Sequence, residues 1–373
     1  MIDWVMFMKK TREIITAVLL IAAAGACIFA ADTVCSAASA GIQRCLLTVI
    51  PSLFAMMAVS AILVESGTVT AAGRLLHRVG RLLFGMDGDV FVIFLFSNIA
   101  GYPVGAKMLL SSYNSSRLTK KETALFSGLC FGAGPAFIYG CIAYRLYGSE
   151  KAGMLVIISA ASANLLLAAA MSVFLRRRGH GAPKASRVRF TADMLSGCVS
   201  SAGRAMGEIC FAIMGFAVIS GLLIRFGVIP AAAERLSQIT GRDFAEAVAL
   251  ICSALDVTAV SGLPAGDYTL LPAISALVSF GGCCVFMQLA AVFRGRVPLL
   301  PIAAVRLVSA AVSYGISRLL LPYFLDGETV SAAAMTLQIH SEASPVPSIL
   351  LIIMTVMVFC AVSSRSNSRS VES

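Results

Sequence analysis

What most restricts this chain is a series of apolar stretches, each about 18–25 residues long, that recurs from one end to the other. A helix that rises 1.5 Å per residue crosses a ~30 Å hydrocarbon core in about 20 such residues. Hydrophobic residues make up 58% of the 373, and charged residues only 13%, where a soluble domain has about 25% charged. The chain therefore reads as an all-α, polytopic membrane protein, with the lipid bilayer as its first partner. The net charge of +10 becomes loop charge that sets orientation. No basic face interleaved with aromatics is present, so no nucleic acid is expected.

The eleven cysteines lie mostly inside apolar runs and form no C-x-x-C pair. Small apolar packing suits them better than metal or redox chemistry, and neither a metal nor a cofactor is expected. At the N-terminus Lys9, Lys10 and Arg12 precede an apolar stretch over 14–31, followed by "SAASA". A cleaved signal peptide and an uncleaved first helix both fit; the uncleaved helix is preferred, with residues 1–44 as a membrane anchor.

Basic residues give the direction of each crossing. Arg176, Arg177, Arg178, Lys184, Arg187 and Arg189 form the strongest cytoplasmic marker. The stretch 45–64 returns from outside and delivers Arg74, Arg78 and Arg81, with Leu75, Leu76, Val79, Leu82 and Leu83 opposite, an amphipathic helix suited to the cytoplasmic interface. If 90–110 then crossed fully, Arg117, Lys120 and Lys121 would lie outside, and two further spans (123–147 and 152–175) would carry the Arg176 cluster outside too. A re-entrant hairpin over 88–112 keeps all of them inside. The same parity, applied to spans 206–226, 268–293, 299–324 and 349–362, makes 243–266 re-entrant from outside. The expected layout is repeat one over 45–175, a basic cytoplasmic linker over 176–204, repeat two over 205–325, and then an outside loop, last helix and tail over 326–373. Both termini are expected in the cytoplasm.

The two hairpins carry the same G-x-P-x-G, Gly101-Tyr102-Pro103-Val104-Gly105 and Gly262-Leu263-Pro264-Ala265-Gly266. Upstream, "FAMMAVSAILVESGTVTAAGRLL" is similar to "FAVISGLLIRFGVIPAAAERL", with Gly67 against Gly227. Downstream, Phe131-Gly132 parallels Phe280-Gly281. One copy enters from inside and the other from outside, so the expectation is an inverted repeat with two re-entrant hairpins, a secondary-transporter architecture. Broken helices leave N–H and C=O groups at their ends that can replace water around a polar solute.

"IPSLFAMMAVSAIL", "SNIAGYPVGAKMLL", "CFGAGPAFI", "LDVTAVSG" and "SFGGCCVFMQ" together resemble the YlbJ-like sporulation integral membrane proteins. These belong to the nucleoside-recognition, or Gate domain, group, which is similar in plan to concentrative nucleoside transporters. The resemblance covers roughly 45–325 and implies a role in sporulation. Three departures stand out. Relatives tend to have an Asn/Ser pair where Phe131-Gly132-Ala133 stand, Glu where Asp256 stands, and His where Phe286 stands. Each removes or shortens a polar contact, so a nucleoside substrate is not implied.

The candidate solute- or ion-binding residues are Ser97, Asn98, Gly101, Tyr102, Pro103, Gly105, Lys107, Asp256, Thr258, Ser261 and Gly262. Gly101–Gly105 and its second copy read as hairpin tips at a central site, or as a kinked helix whose glycines permit close packing. Ser97 and Thr258 take equivalent places in the two copies, and with Asn98 they line the site or cap carbonyls of their own hairpins. Asp256 is costly at membrane depth: it binds a coupling cation, a proton or a solute donor, or it forms an ion pair with Arg306 or Arg318. Arg306 and Arg318, in one span, would face a polar seam. Lys107 contacts an anionic solute or snorkels at the hairpin's exit. Glu65 and Glu208 are expected near helix ends, and Thr119 to Glu122 reads as a capping box. His77, His180 and His340 are scattered.

Enzyme chemistry is not expected, since H-E-x-x-H, G-x-S-x-G and Asp-rich prenyl-diphosphate motifs are all missing from the sequence. The first reading is a cell-membrane protein of secondary-transporter type that moves or binds a small polar solute, with a coupling cation as a further partner and homo-oligomers left open. The second is a non-transporting scaffold for spore-envelope assembly.

Overall fold

The computed structural model describes residues 2–175 and 188–325. Residues 176–187 of the basic linker (with His180) and the expected outside loop, last helix and tail (326–373, with His340) lie outside the described residues. Those described are helical throughout, without a strand. Five helices are long and apolar enough to cross a membrane: Ala31–Glu65, Glu150–Ser172, Ala192–Arg225, Tyr268–Phe293 and Leu299–Phe324.

Helix α1 (Ile2–Phe29) is followed at once by α2 (Ala31–Arg44), a π-helical turn (Cys45–Val49) and α3 (Ile50–Glu65). The boundary expected between residues 44 and 45 therefore falls inside one 35-residue helix, and "SAASA" is helical. Ala and Ser carry little cost in a helix. Pro51 has no N–H to give, and the turn before it widens, with Ile50 N–H bonding to Cys45 O.

Gly67 then turns the chain into α4 (Thr68–Phe84), which meets α5 (Gly88–Ala100) at 82°. Gly73 and Gly80 of α4 are buried, whereas Leu75 and Leu82 are exposed beside Arg74, Arg78 and Arg81. Leu75, Leu82 and Leu83 thus present an exposed apolar edge, as an interfacial helix requires.

After α5 the chain breaks at Gly101–Pro103 and continues as α6 (Val104–Asn114). A continuous helix over 88–117 would separate its ends by roughly 40 Å. Instead, Arg117 beyond α6 pairs with Asp89 at the start of α5 at 3.1 Å. The two helices therefore fold back as a hairpin. Next come α7 (Lys120–Leu129), the break Cys130–Gly134, the short α8 (Pro135–Phe137) leading into a π-helical stretch (Ile138–Tyr147), and α9 (Glu150–Leu175). Helix α7 opens with the expected capping box: Thr119 accepts from Glu122 N–H while the Glu122 carboxylate accepts from Thr119 N–H.

The second half repeats this order. Helices α10 (Ala192–Arg225), α11 (Val228–Thr240) and α12 (Phe244–Leu255) lead to a break at Asp256, a 3-10 turn (Val257–Gly262), and then α13 (Leu271–Phe280), α14 (Gly282–Phe293) and α15 (Leu299–Leu325). The joints match in dihedral angle. Gly67 (φ 79°, ψ 7°) and Gly227 (78°, 2°) open α4 and α11, and Gly85 (63°, 16°) and Gly241 (68°, 14°) close them. Only glycine takes these left-handed positions without cost. Asp87 (−67°, 153°) and Asp243 (−61°, 148°) then start α5 and α12. Helix α11 has 13 residues against 17 in α4, about one turn fewer. The second hairpin is also closed at its base by an Arg–Asp pair with the roles reversed: Arg242 before α12 reaches Asp267 at 3.7 Å and Thr269 O at 3.1 Å.

This alignment by elements differs from the one the sequence motif suggests. Gly101–Pro103 is buried at the tip of hairpin one, while Gly262, Pro264 and Ala265 are exposed near the base of hairpin two. The tip of hairpin two is Asp256. Ser97 and Thr258 are not equivalent either. Ser253 stands as far beyond Asp243 as Ser97 does beyond Asp87, and both hydroxyls donate back to a carbonyl of their own helix, Ala249 O and Phe94 O.

Candidate functional site at the hairpin tips

Helix α12 ends where Asp256 takes an extended conformation (φ −139°, ψ 110°). The freed carboxylate folds forward and accepts from Thr258 N–H at 3.1 Å and from Thr258 Oγ1 at 2.6 Å. This is the local capping for which short acidic residues are favoured. A third bond comes from outside the hairpin: Arg44 Nη1 donates to Asp256 Oδ2 at 3.3 Å. Asp256 is only 2% exposed, so the pair neutralises a charge that could not otherwise be held there. The expected ion-pair partners, Arg306 and Arg318, are thus replaced by Arg44, at the junction of α2 and the π-helical turn.

At the tip of hairpin one, Gly101 (φ 86°, ψ 160°) reverses the chain, and the Tyr102–Pro103 peptide is cis. The Tyr102 ring packs on Phe131 at 4.9 Å between centroids. Its hydroxyl is buried without a hydrogen-bond partner among the described residues. Tyr102 from hairpin one, Asp256 and Thr258 from hairpin two, Gln288 from α14 and the Ala133–Gly134 backbone wall a common cavity of about 30 Å³. That is room for one or two waters or a bare cation, and an order of magnitude below the ~300 Å³ of a typical small-molecule pocket.

Behind Phe131 lies a second polar centre. Arg306 is fully buried and donates from Nη1 to Phe131 O at 2.7 Å and from Nη2 to Asn164 Oδ1 at 2.8 Å, its guanidinium 4.9 Å from the Phe131 ring centroid. Asn164 Nδ2 donates in turn to Phe131 O and to Asn98 Oδ1. The Cys130–Gly134 break exposes these carbonyls, and Arg306 satisfies one of them. Ser309, Ser313 and Ser317 continue the buried polar stripe down α15, whereas Arg318 is exposed. The expected seam therefore holds one of the two arginines.

The structure brings three of the eleven sequence candidates, Tyr102, Asp256 and Thr258, to the tip cavity. Asn98 joins the Arg306 network. Gly101 packs against Leu53 and Gly134, and Gly105 against Cys130 O and Ser97. Ser261 donates to Thr258 O inside its own turn, and Gly262 is exposed. Pro103 and Lys107 line a neighbouring, larger cavity together with Glu208. Glu65 ends α3 as expected, but Glu208 is in the body of the 34-residue α10. Sequence reasoning missed Arg44, Gln288 and Asn164. Arg44 and Asn164 each carry a signal, as polar residues in otherwise small-apolar helices.

Among the described residues no group of three His, Cys, Asp or Glu side chains is arranged to hold a metal ion. Comparison of the chain with protein-family models, with curated proteins and with solved structures gives no match.

Proposed function

We propose that this membrane protein is of secondary-transporter type, with its two hairpins re-entrant from opposite sides as an inverted repeat. The site at their tips handles a small polar solute or a monovalent cation or proton. The observation that carries this reading is the cavity itself. Tips from both halves of the chain wall one space, and that space holds a buried carboxylate and an unpartnered Tyr102 hydroxyl. Alternating access needs such a shared centre, since each half can move against it. The resemblance noted in the sequence adds a role in sporulation to the proposal.

Two observations favour the second reading, a non-transporting scaffold. Arg44 already neutralises Asp256, and the cavity is small. In the transport reading Arg44 is a tethered cation that the coupling ion displaces; in the scaffold reading it is a permanent strut. The test is complementation of a deletion strain by Asp256→Asn, scored for spore formation at matched membrane abundance, with sodium and pH titrations of thermal stability on the purified protein. Transport requires that Asp256→Asn lose complementation and ion dependence together. Full complementation by a stably expressed Asp256→Asn protein would leave the scaffold.

A further inference from the structure

Three more cavities lie in line with the one at the tips, and each shares wall residues with the next. A cavity of about 290 Å³ beside Arg117 and Arg189 shares Glu65 and Ser111 with one of about 160 Å³. That one shares Lys107 and Ala205 with a cavity of about 400 Å³, which in turn shares Ile209 and Gln288 with the tip cavity. The two middle cavities lie between α6 and α10. Pro103, Lys107 and Ser111, four residues apart, present one face of α6 to them.

The 400 Å³ cavity is the largest of these four and has room for an organic solute with a body of its own. Its wall is apolar (Phe211, Met287 and Val292 among others) apart from Gln288 and two opposite charges, Lys107 and Glu208. Among the described residues neither charged side chain has a hydrogen bond or an ion pair within 4 Å, and the exposed Glu208 meets Lys107 only as an opposite charge across the cavity. Lys107 is half-buried, and a half-buried ammonium facing apolar walls is costly unless something meets it.

We propose that this cavity binds a small zwitterion with an apolar body, a neutral α-amino acid in chemical class. Lys107 receives the carboxylate and Glu208 the ammonium. The series of cavities is the route from the hairpin-one base to Asp256; that route rests on the transport reading above, while the binding site does not. Charge decides the class. A simple anion would be repelled by Glu208 and a simple cation by Lys107. An uncharged solute would leave both unmet. A zwitterion satisfies each, and its side chain fills the remaining apolar wall.

The test is equilibrium binding of tritiated L-leucine and L-phenylalanine to the full chain in nanodiscs. Unlabelled 4-methylpentanoate, which lacks the ammonium, and isopentylamine, which lacks the carboxylate, serve as competitors. Saturable binding of at least one amino acid is expected, with each single-charge competitor at least about ten-fold weaker. Lys107→Met and Glu208→Gln should each weaken binding by about ten-fold or more. No saturable binding at millimolar amino acid, competition by one single-charge compound as strong as by leucine, or full binding by both variants would overturn the assignment. Should a variant fail to fold, the competitors on the unaltered protein decide. The ion titrations at Asp256, run on the same samples, keep the two proposals apart. Amino-acid binding that fails while Asp256-dependent ion effects persist removes the zwitterion site alone, and the reverse removes the transport reading alone.

Discussion

At the level of single residues, the two polar centres impose opposite demands. Arg306 is held by two acceptors and an aromatic face in a fully buried setting, which a planar, delocalised guanidinium satisfies and a point-charge ammonium does not. Arg306→Lys should therefore lower stability by about 1–3 kcal/mol, because at least one of Phe131 O and Asn164 Oδ1 loses its charged donor and keeps only a neutral one, Asn164 Nδ2 or Ser309 Oγ; thermal unfolding of the purified protein measures this. An Arg306→Lys protein as stable as the original would mean that the network is incidental. The glycines make a sharper contrast. A Cβ on Gly105 would meet Cys130 O and, at 2.7 Å, the Ser97 Cβ, whereas one on Gly262 meets nothing within 4 Å. Gly105→Leu should cost about 1–3 kcal/mol or more through overpacking and reduce folded yield, while Gly262→Leu should leave both unchanged within error. Equal effects at the two positions would mean that the second motif is packed as tightly as the first.

At the level of elements, each hairpin depends on the pair at its base. Asp89 is 8% exposed and Arg117 40%, at 3.1 Å; Asp267 is the more open aspartate, 31% exposed and 3.7 Å from Arg242, and Arg242 keeps Glu246 and Thr269 O besides. Arg117→Ala should thus strand a nearly buried carboxylate and cost about 1–3 kcal/mol, with faster hydrogen exchange across 88–114. Asp267→Ala should stay within about 1 kcal/mol. A reversed order would show that hairpin one is held by its tip rather than its base. The contrast between the hairpins also explains what was legible in advance. Hairpin one was readable because a Gly-Tyr-Pro-Val-Gly interruption in an apolar run stops a helix on local grounds alone. The break in hairpin two was misplaced, because the same motif there marks the exposed return and the true tip is made by Asp256 capping its own turn. The matching joints were visible in Gly67 and Gly227, whose left-handed angles are local needs. Arg44 and Asn164 stood out as polar residues, but their partners, Asp256 and Arg306, are far off in sequence, and no periodicity encodes that.

At the level of the whole molecule, the fold accounts for why one half alone would not make a site. Each half supplies a hairpin, and the tip cavity needs Tyr102 from the first and Asp256 from the second, with Arg44 arriving from a helix before either. If the halves are inserted in opposite senses, the two hairpin bases lie on opposite faces of the membrane. Lys120, close to the Arg117–Asp89 pair, and Gln238, shortly before Arg242, are both exposed and mark those bases. Cysteines placed there, on a background with Cys35 and Cys283 replaced, should react differently with a membrane-impermeant maleimide. Gln238→Cys should label in intact cells, and Lys120→Cys only in inverted vesicles, as the surrounding Arg117, Lys120 and Lys121 demand of a cytoplasmic loop. Labelling of both from the same face would make the repeat parallel rather than inverted. The matching joints would then reflect duplication without the alternating access that inversion provides.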